Sequence, residues 1–312
     1  MLATLLTDSS QSFDYKADLM QNVILFISTL ICWAPTWYLI KFQFGVVDPL
    51  ISIFYRFLLA SIIIFIFLII SQKKLRFSLN EHLWFLLLGM TLFSLNYIFF
   101  YLANTYLISG IVTIAFSTIL IMNILGERVF FKVQSSKQTL WAAGFGILGI
   151  IIIFQKELFN FTMTDTSHIG ILLSFVATFW ASSGNLIYQK NSRNKVPFIQ
   201  SVAYGMLYGS LGTLVIAKVR GAEFVFDYSL SYISSLLYLT IIGSVLAFYL
   251  YLSLLERIGS ARAGYIGVIM PILALIISTI FEGLAWTNNL IIGLPVLIFG
   301  CVLILNQKTK NT

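Results

Sequence analysis

Between His82 and Glu127 the chain runs for 44 residues, Leu83–Gly126, without one charged side chain. Wound as a helix at about 1.5 Å per residue, that stretch would reach about 66 Å, more than twice the roughly 30 Å of a bilayer's hydrocarbon core. It is too apolar for a soluble surface and too long for a single crossing, so it must turn back, and Ala103-Asn104-Thr105 is the polar point where the turn is expected. Eight further charge-free stretches share its character: Leu19–Ile40, Phe57–Gln72, Gln138–Gln155, Ile169–Gln189, Val196–Ala217, Tyr228–Leu255, Ala263–Phe281 and Gly283–Gln307. Most match the ~20 residues one helical crossing needs. Hydrocarbon offers no water to backbone N–H and C=O groups, and a helix satisfies them within the segment. The expectation is an all-α integral membrane protein of ten transmembrane helices, near 20–40, 48–70, 82–103, 107–131, 138–154, 168–189, 197–217, 231–254, 260–281 and 287–306. Composition agrees, since only 10% of residues are charged, against roughly 25% in soluble domains.

Lys and Arg set the orientation. With the N-terminus cytoplasmic, fourteen fall inside: Lys16, Lys73, Lys74, Arg76, Arg128, Lys132, Lys137, Lys190, Arg193, Lys195, Arg257, Arg262, Lys308 and Lys310. Four fall outside, namely Lys41, Lys156, Lys218 and Arg220. The positive-inside rule then predicts both termini cytoplasmic, in an inner or plasma membrane. The net charge of +7 is explained by this anchoring pattern, so nucleic acid is not expected as a partner. The first span reads as uncleaved, because Asp8, Asp14 and Asp18 precede it in place of a basic region. Cys32 and Cys301 lie inside spans, where a lone thiol acts as a small apolar residue.

A shift of 147 to 151 residues aligns the two halves of the chain. Trp33 falls on Trp180, Leu39-Ile40 on Leu186-Ile187, Asp48-Pro49 on Val196-Pro197, Ser109 on Ser260, and Gly149 on Gly300. Each half then holds five helices. An odd number of crossings makes the second half enter from the opposite side, which predicts two inverted repeats. The expected organisation is a cytoplasmic segment 1–19, a first repeat 20–154, an extracytoplasmic linker 155–167, a second repeat 168–306 and a cytoplasmic tail 307–312.

At this point the residues resemble a family. Pro49 opens the second span with Arg56 seven residues on, and LLERIGSARAGYIGVIMPILALIISTIFEGLAWTNNLIIGLPVLIFGCVLIL spans Leu254–Leu305. These features look like the EamA transporters of the drug/metabolite transporter superfamily, over about residues 20 to 306. The resemblance implies a ten-helix carrier of small metabolites, often an exporter of amino acids or related compounds, with a central cavity between the halves. One departure stands out. Leu120 lies opposite Pro271 and Phe131 opposite Glu282, so the first half lacks the Pro and helix-end Glu of the second, which argues against a break in its fourth helix.

Arg56 is the one cation deep within a span, away from its ends. A charge at mid-membrane costs about 2.5–3.5 kcal/mol on insertion scales, so it must face protein or a wet cavity. Two readings stand: it donates to carbonyls and hydroxyls of the first half, or it faces the cavity and attracts an anionic substrate group. Glu282, near the outer end of the ninth span, is a carboxylate close enough to consider as its partner. Asn96, Ser117 and Ser244 are polar at mid-depth and are expected to face inward. Pro271 frees one carbonyl in the ninth span. Trp33 and Trp180, matched by the repeat, either fill the core or flank the substrate from both sides. The expected substrate site is therefore Trp33, Arg56, Asn96, Ser117, Trp180, Ser244 and Pro271. Gly205, Gly209 and Gly212 have the small-residue spacing of close helix packing.

Enzyme readings lack their groups. The span interiors contain no Asp or His, hence no paired carboxylates and no metal cluster, and there is no phosphate-binding glycine loop for ATP. No cofactor is expected. The partners expected are a small-molecule substrate and the lipid bilayer, with any coupling ion left open. Uptake or exchange, a membrane scaffold and an intramembrane enzyme are the competing readings. Orientation is testable directly: a Cys placed in 156–167 should react with an impermeant thiol reagent from outside, whereas labelling confined to 190–195 would reverse the topology.

Overall fold

The structure, a computed structural model, describes residues 2–132, 137–155, 166–259, 263–264 and 266–305, with side chains from Met20 onward except at a few helical positions. Most of the expected linker (156–165), the tail 307–312, Arg262 and Ser260 lie outside the described residues. The N-terminal segment from Leu2 continues into the first span as one helix, α1 (Leu2–Leu39), closed by a 3-10 turn over Ile40–Gln43. There follow α2 (Pro49–Ile70), α3 (Leu79–Tyr106), α4 (Ser109–Phe131), α5 (Lys137–Ile153), α6 (Ser167–Arg193), α7 (Phe198–Val219), α8 (Leu230–Ile258), α9 (Ile266–Phe281) and α10 (Asn288–Leu305). Among the described residues seven helices are long and apolar enough to cross a membrane, and the apolar helices Gly144–Ile153, Ile269–Phe281 and Asn288–Gly300 are shorter.

Local chemistry sets the helix ends. Asp48 caps α2 by accepting from the Leu50 N–H at 2.8 Å, with Pro49 in the first turn, where its missing N–H costs nothing. Ser78 and Glu81 form a capping box at the start of α3. The turn expected at Ala103–Thr105 comes later, at Leu107 and Ile108, both extended. The Asn104 amide nitrogen donates back to the Phe100 carbonyl and the Thr105 hydroxyl to that of Leu102, so both side chains spend a donor within the helix, while Asn104 Oδ1 is buried without a partner.

The bundle encloses polar groups within an apolar core and is apolar outside. Ser52, Arg56, Ser61, Ser94, Asn96, Ser174 and Ser244 are buried, while Ile62, Ile66, Phe67, Ile69 and Ile70 of α2 are exposed. That distribution suits a hydrocarbon surrounding, in which hydroxyls need internal partners. Helix pairing is reciprocal: α3 lies against α6 and α7, and α8 against α1 and α2, while α2 meets α7, α4 meets α9 and α5 meets α10. One buried core is built mainly from α1, α2, α3, α6, α7 and α8 and includes Val112 of α4 and Ile266 and Met270 of α9, and a second is built mainly from α4, α5, α9 and α10 and includes Ile171 of α6.

Helices α3 and α8 each widen into a π-helical segment, Gly89–Leu95 and Tyr238–Leu246, offset by 149 residues at their starts and 151 at their ends. The first is where α3 crosses α7. A Cβ on Gly89 would stand 2.5 Å from the Gly205 carbonyl oxygen and 2.7 Å from the Gly209 nitrogen. The glycine spacing in α7 therefore serves α3. Neither backbone can yield, so Gly89→Val should destabilise the protein by about 1–3 kcal/mol or more, seen as a lower unfolding temperature in detergent.

The fourth helix is broken after all. It runs as Ser109–Phe116 and Ile119–Phe131, parted at Ser117 and Thr118. The hydroxyls of Thr113, Ser117 and Thr118 donate to the carbonyls of Gly110, Ile114 and Ala115, three residues back. Such back-bonding disturbs the helix. In α9, by contrast, Pro271 lies within a helix that stays continuous over Ile266–Phe281.

Candidate substrate cavity

The π segment of α8 organises the centre of the bundle. Its Gly243 carbonyl accepts from Trp33 Nε1 at 2.9 Å and from Arg56 Nη2 at 3.5 Å, and the Ser244 hydroxyl accepts from Arg56 Nε at 2.8 Å while donating to the Leu239 carbonyl. The Arg56 guanidinium lies over the Tyr97 ring at 4.7 Å and near the Phe57 ring at 5.2 Å, and the residue is 1% exposed. Its bonded partners belong to the second half of the chain, not the first, and among the described residues it has no carboxylate partner. A hydrogen bond to a charged group contributes about 1.5–3 kcal/mol and a desolvated cation–π contact about 2 kcal/mol, which together oppose the insertion cost, while Arg56 Nη1 is buried with no hydrogen-bond partner among the described residues.

A cavity of about 60 Å³ opens beside this node. One stripe of α1, Trp33, Thr36 and Trp37, lines it, continued by Ile40 of the 3-10 turn. Opposite stand Asn96, Tyr97 and Phe100 of α3, Phe116 of α4, Ala181 and Asn185 of α6, Phe248 and Tyr251 of α8, and Gly267 and Met270 of α9. Trp33 packs against Phe248 and Tyr251 with ring centroids 5.1 and 4.9 Å apart. Three amide atoms on this wall are buried without a partner: Asn96 Oδ1, Asn185 Oδ1 and Asn185 Nδ2.

Of the expected site residues, Trp33 and Asn96 meet in this cavity. Arg56 lies behind its wall, reached through Tyr97, and Ser244 is the residue that holds Arg56. Ser117 sits at the α4 break, its hydroxyl spent on Ile114. Pro271 is buried beside the cavity, and the carbonyl it deprives of a helical partner is that of Gly267, which lines it. Trp180 does not line the cavity; it is half-buried against Phe179. One residue is a turn of about 100° on a helix, so Ala181 and Asn185 take the inner face and Trp180 points away. Sequence reasoning missed Asn185, Tyr97 and Tyr251. Asn185 carried a readable signal as an amide within a charge-free span.

Next to Ile40 at the cavity rim, Lys41 pairs with Glu282, whose side chain is 3% exposed. The same carboxylate accepts from the hydroxyls of Ser109 and Ser278 and from the Ser109 N–H at 3.4 Å, while Ser278 also accepts from the Gly110 N–H at 2.9 Å. Glu282 and Ser278 of α9 thus cap the N-terminus of α4, which has no cap of its own. Trp37, Phe100 and Phe116 close together below this lock, with centroids 5.0 to 5.5 Å apart. Glu127, by contrast, accepts from Gln189 at its own end of the bundle.

A helical bundle with an apolar exterior, enclosed polar groups and a central cavity has the form of a multi-pass membrane protein. A profile of the EamA-like transporter family matches the chain twice, over residues 20–155 and 168–306, and the chain belongs to that family. It is 24% identical over 276 residues to YedA of Escherichia coli K12, described as an uncharacterized inner membrane transporter, covering 88% of this chain and 87% of that one. It is 24% identical over 230 residues to the uncharacterized transporter YdfC of Bacillus subtilis, covering 73% and 72%, and 23% identical over 252 residues to an uncharacterized transporter of Archaeoglobus fulgidus, covering 80% and 85%. A solved crystal structure shares the fold, with a TM-score of 0.65 at 14% identity over 90% of this chain and 95% of that one. The protein is a membrane transporter.

The lock carries a pH expectation. Burial pushes the Glu282 carboxyl up, but the hydrogen bonds from Lys41, Ser109 and Ser278 and the charge of Lys41 outweigh it and hold the group below the usual carboxylate range. A depressed carboxyl stabilises above the ordinary pKa of about 4.3 and loses that contribution as pH falls below it. Ile40→Cys should therefore resist an impermeant thiol reagent at neutral pH, and should become several-fold more reactive when Glu282→Gln is added.

Proposed function

We propose that the protein is a secondary carrier with ten membrane-crossing helices in two inverted five-helix repeats, 20–154 and 168–306, both termini cytoplasmic. It moves a small polar metabolite of amino-acid type outward by alternating access. Three observations support the architecture: the reciprocal helix pairing, the paired π segments and the double family match. Export and the amino-acid class come from the family resemblance.

The observation that carries the site is the set of unpaired amide atoms of Asn96 and Asn185 around an aromatic-walled cavity. A buried amide left without a partner costs about 1–3 kcal/mol, and a ligand bearing both donors and acceptors relieves it. Trp33, Tyr97 and Tyr251 supply flat apolar faces for the rest of that ligand. At about 60 Å³ the cavity falls well below the roughly 300 Å³ at which sites for larger ligands begin. It therefore represents a contracted state, shut on the Lys41 side by the ion pair and the aromatic cluster. Rocking of the two halves would release that lock and widen the cavity. Since Glu282 is held ionised, exchange or facilitated diffusion is favoured over proton antiport through this group.

Flux of labelled amino acids into proteoliposomes tests the reading. Asn185→Leu and Asn96→Leu should each raise the half-saturating concentration about tenfold with the protein still folded, and Trp33→Phe should raise it less. Trp180→Phe should leave it unchanged. Flux no different from empty liposomes across the panel would indicate a scaffold, and a chemically altered product an enzyme.

A further inference from the structure

The last turn of α6 carries two cations, Lys190 and Arg193. Lys190 Nζ stands 3.6 Å from the centroid of the Trp84 ring in α3, and the Arg193 guanidinium carbon 4.0 Å from that of Phe131 in α4. These four residues line a groove of about 510 Å³ between α3, α4 and α6, walled further by Phe130, Leu186 and Ile187. Cations at a helix C-terminus are favourable in themselves. That does not account for their convergence on one groove, nor for the absence of a carboxylate at ion-pair distance from either among the described residues, where the ion pair is Lys41–Glu282.

The groove is amphiphilic along the membrane normal. Its charged end is level with the helix termini. Its apolar part runs about one turn deeper along Ile187 and the buried Leu186, and Phe130, 72% exposed, walls it near the helix ends. A soluble anion would use the first part alone, whereas a lipid uses both. By the Lys and Arg bias this is the cytoplasmic leaflet, where anionic lipids concentrate and basic pockets between helices bind their headgroups. Trp84 and Phe131 add ring faces at interfacial depth, where aromatic side chains are favoured.

We infer that this groove binds an anionic phospholipid, its phosphate held by Lys190 and Arg193 and an acyl chain laid along Phe130, Leu186 and Ile187. The site is separate from the substrate cavity, although both lie on α6. Asn185 faces the cavity and Leu186 the groove, so a bound lipid braces the helix that presents Asn185.

Native mass spectrometry of the full chain in detergent, with phosphatidylglycerol or phosphatidylcholine added, tests this. Phosphatidylglycerol should be retained preferentially. Lys190→Gln and Arg193→Gln should each weaken it about fivefold, and the pair about thirtyfold, at roughly the increment one cation adds near an anionic surface. Lys190→Arg, and Lys73→Gln on the same face but outside the groove, should leave it unchanged. Equal retention of phosphatidylcholine, or undiminished binding by the double variant, would overturn the inference. Displacement of phosphatidylglycerol by an equal concentration of glycerol 3-phosphate would also overturn it, by showing a soluble-anion site. Should the double variant not fold, acyl-brominated phosphatidylglycerol in vesicles of the unmodified protein gives the answer. It should quench tryptophan fluorescence more than brominated phosphatidylcholine, and Trp84→Phe should abolish the difference. Equal quenching by both lipids counts against the site.

Discussion

A cation enclosed in hydrocarbon must be met by dipoles of its own protein, and Arg56 is met by the π segment of α8. Widening the helix there turns the Gly243 carbonyl and the Ser244 hydroxyl toward α2, and the same carbonyl receives the indole of Trp33. One short irregularity therefore ties α1, α2 and α8 together and sets the ring beneath which the cavity opens. An ordinary α-helical turn would engage that carbonyl along its own axis. In water such an exchange of partners costs little, but in lipid no solvent competes, so the position of each diverted backbone group is fixed by a specific side chain.

The same economy recurs wherever the bundle is irregular. In α4 three hydroxyls bond back to carbonyls and part the helix at Ser117 and Thr118; in α9 Pro271 withholds a donor from Gly267. Both places border the cavity, through Phe116 and Ile119 on one side and Gly267 and Met270 on the other. Non-helical backbone at membrane depth is tolerated only against protein or a water-lined space. The cavity thus lies where α4 is interrupted and where continuous α9 carries a freed carbonyl. At the rim, the α4 N-terminus is capped by Glu282, just past the end of α9, rather than by a neighbour in sequence, so that end of α4 is completed by a tertiary contact.

How much of this was legible beforehand follows from the range of each interaction. Charge-free length predicted helices and their approximate limits, because the bilayer imposes one dimension on every span. It misplaced the turn after α3 by a few residues, since the Asn104 amide and the Thr105 hydroxyl can donate to carbonyls of the preceding turn without leaving the helix. The 147-to-151-residue shift matched Trp33 with Trp180 as residues, yet only Trp33 reached the cavity. Sequence correspondence fixes depth along a helix, and the rotation of each helix about its axis is set by packing. Arg56 was visible as an anomaly, but not the identity of its partners, which lie 187 and 188 residues away.

The sequence alone determined that this chain spans a membrane as helices, which side its charges favour, and which few polar groups had to be enclosed. Those properties depend on the free energy of single residues in water and in hydrocarbon, and they add along the chain. Only the tertiary structure decided that Asn96 and Asn185 share one wall, that Arg56 supports it from behind, and that Lys41 and Glu282 lock its rim. Such outcomes depend on helix rotation and on close approaches such as that of Gly89 to α7, where contact between distant residues, not the preference of either one, sets the geometry.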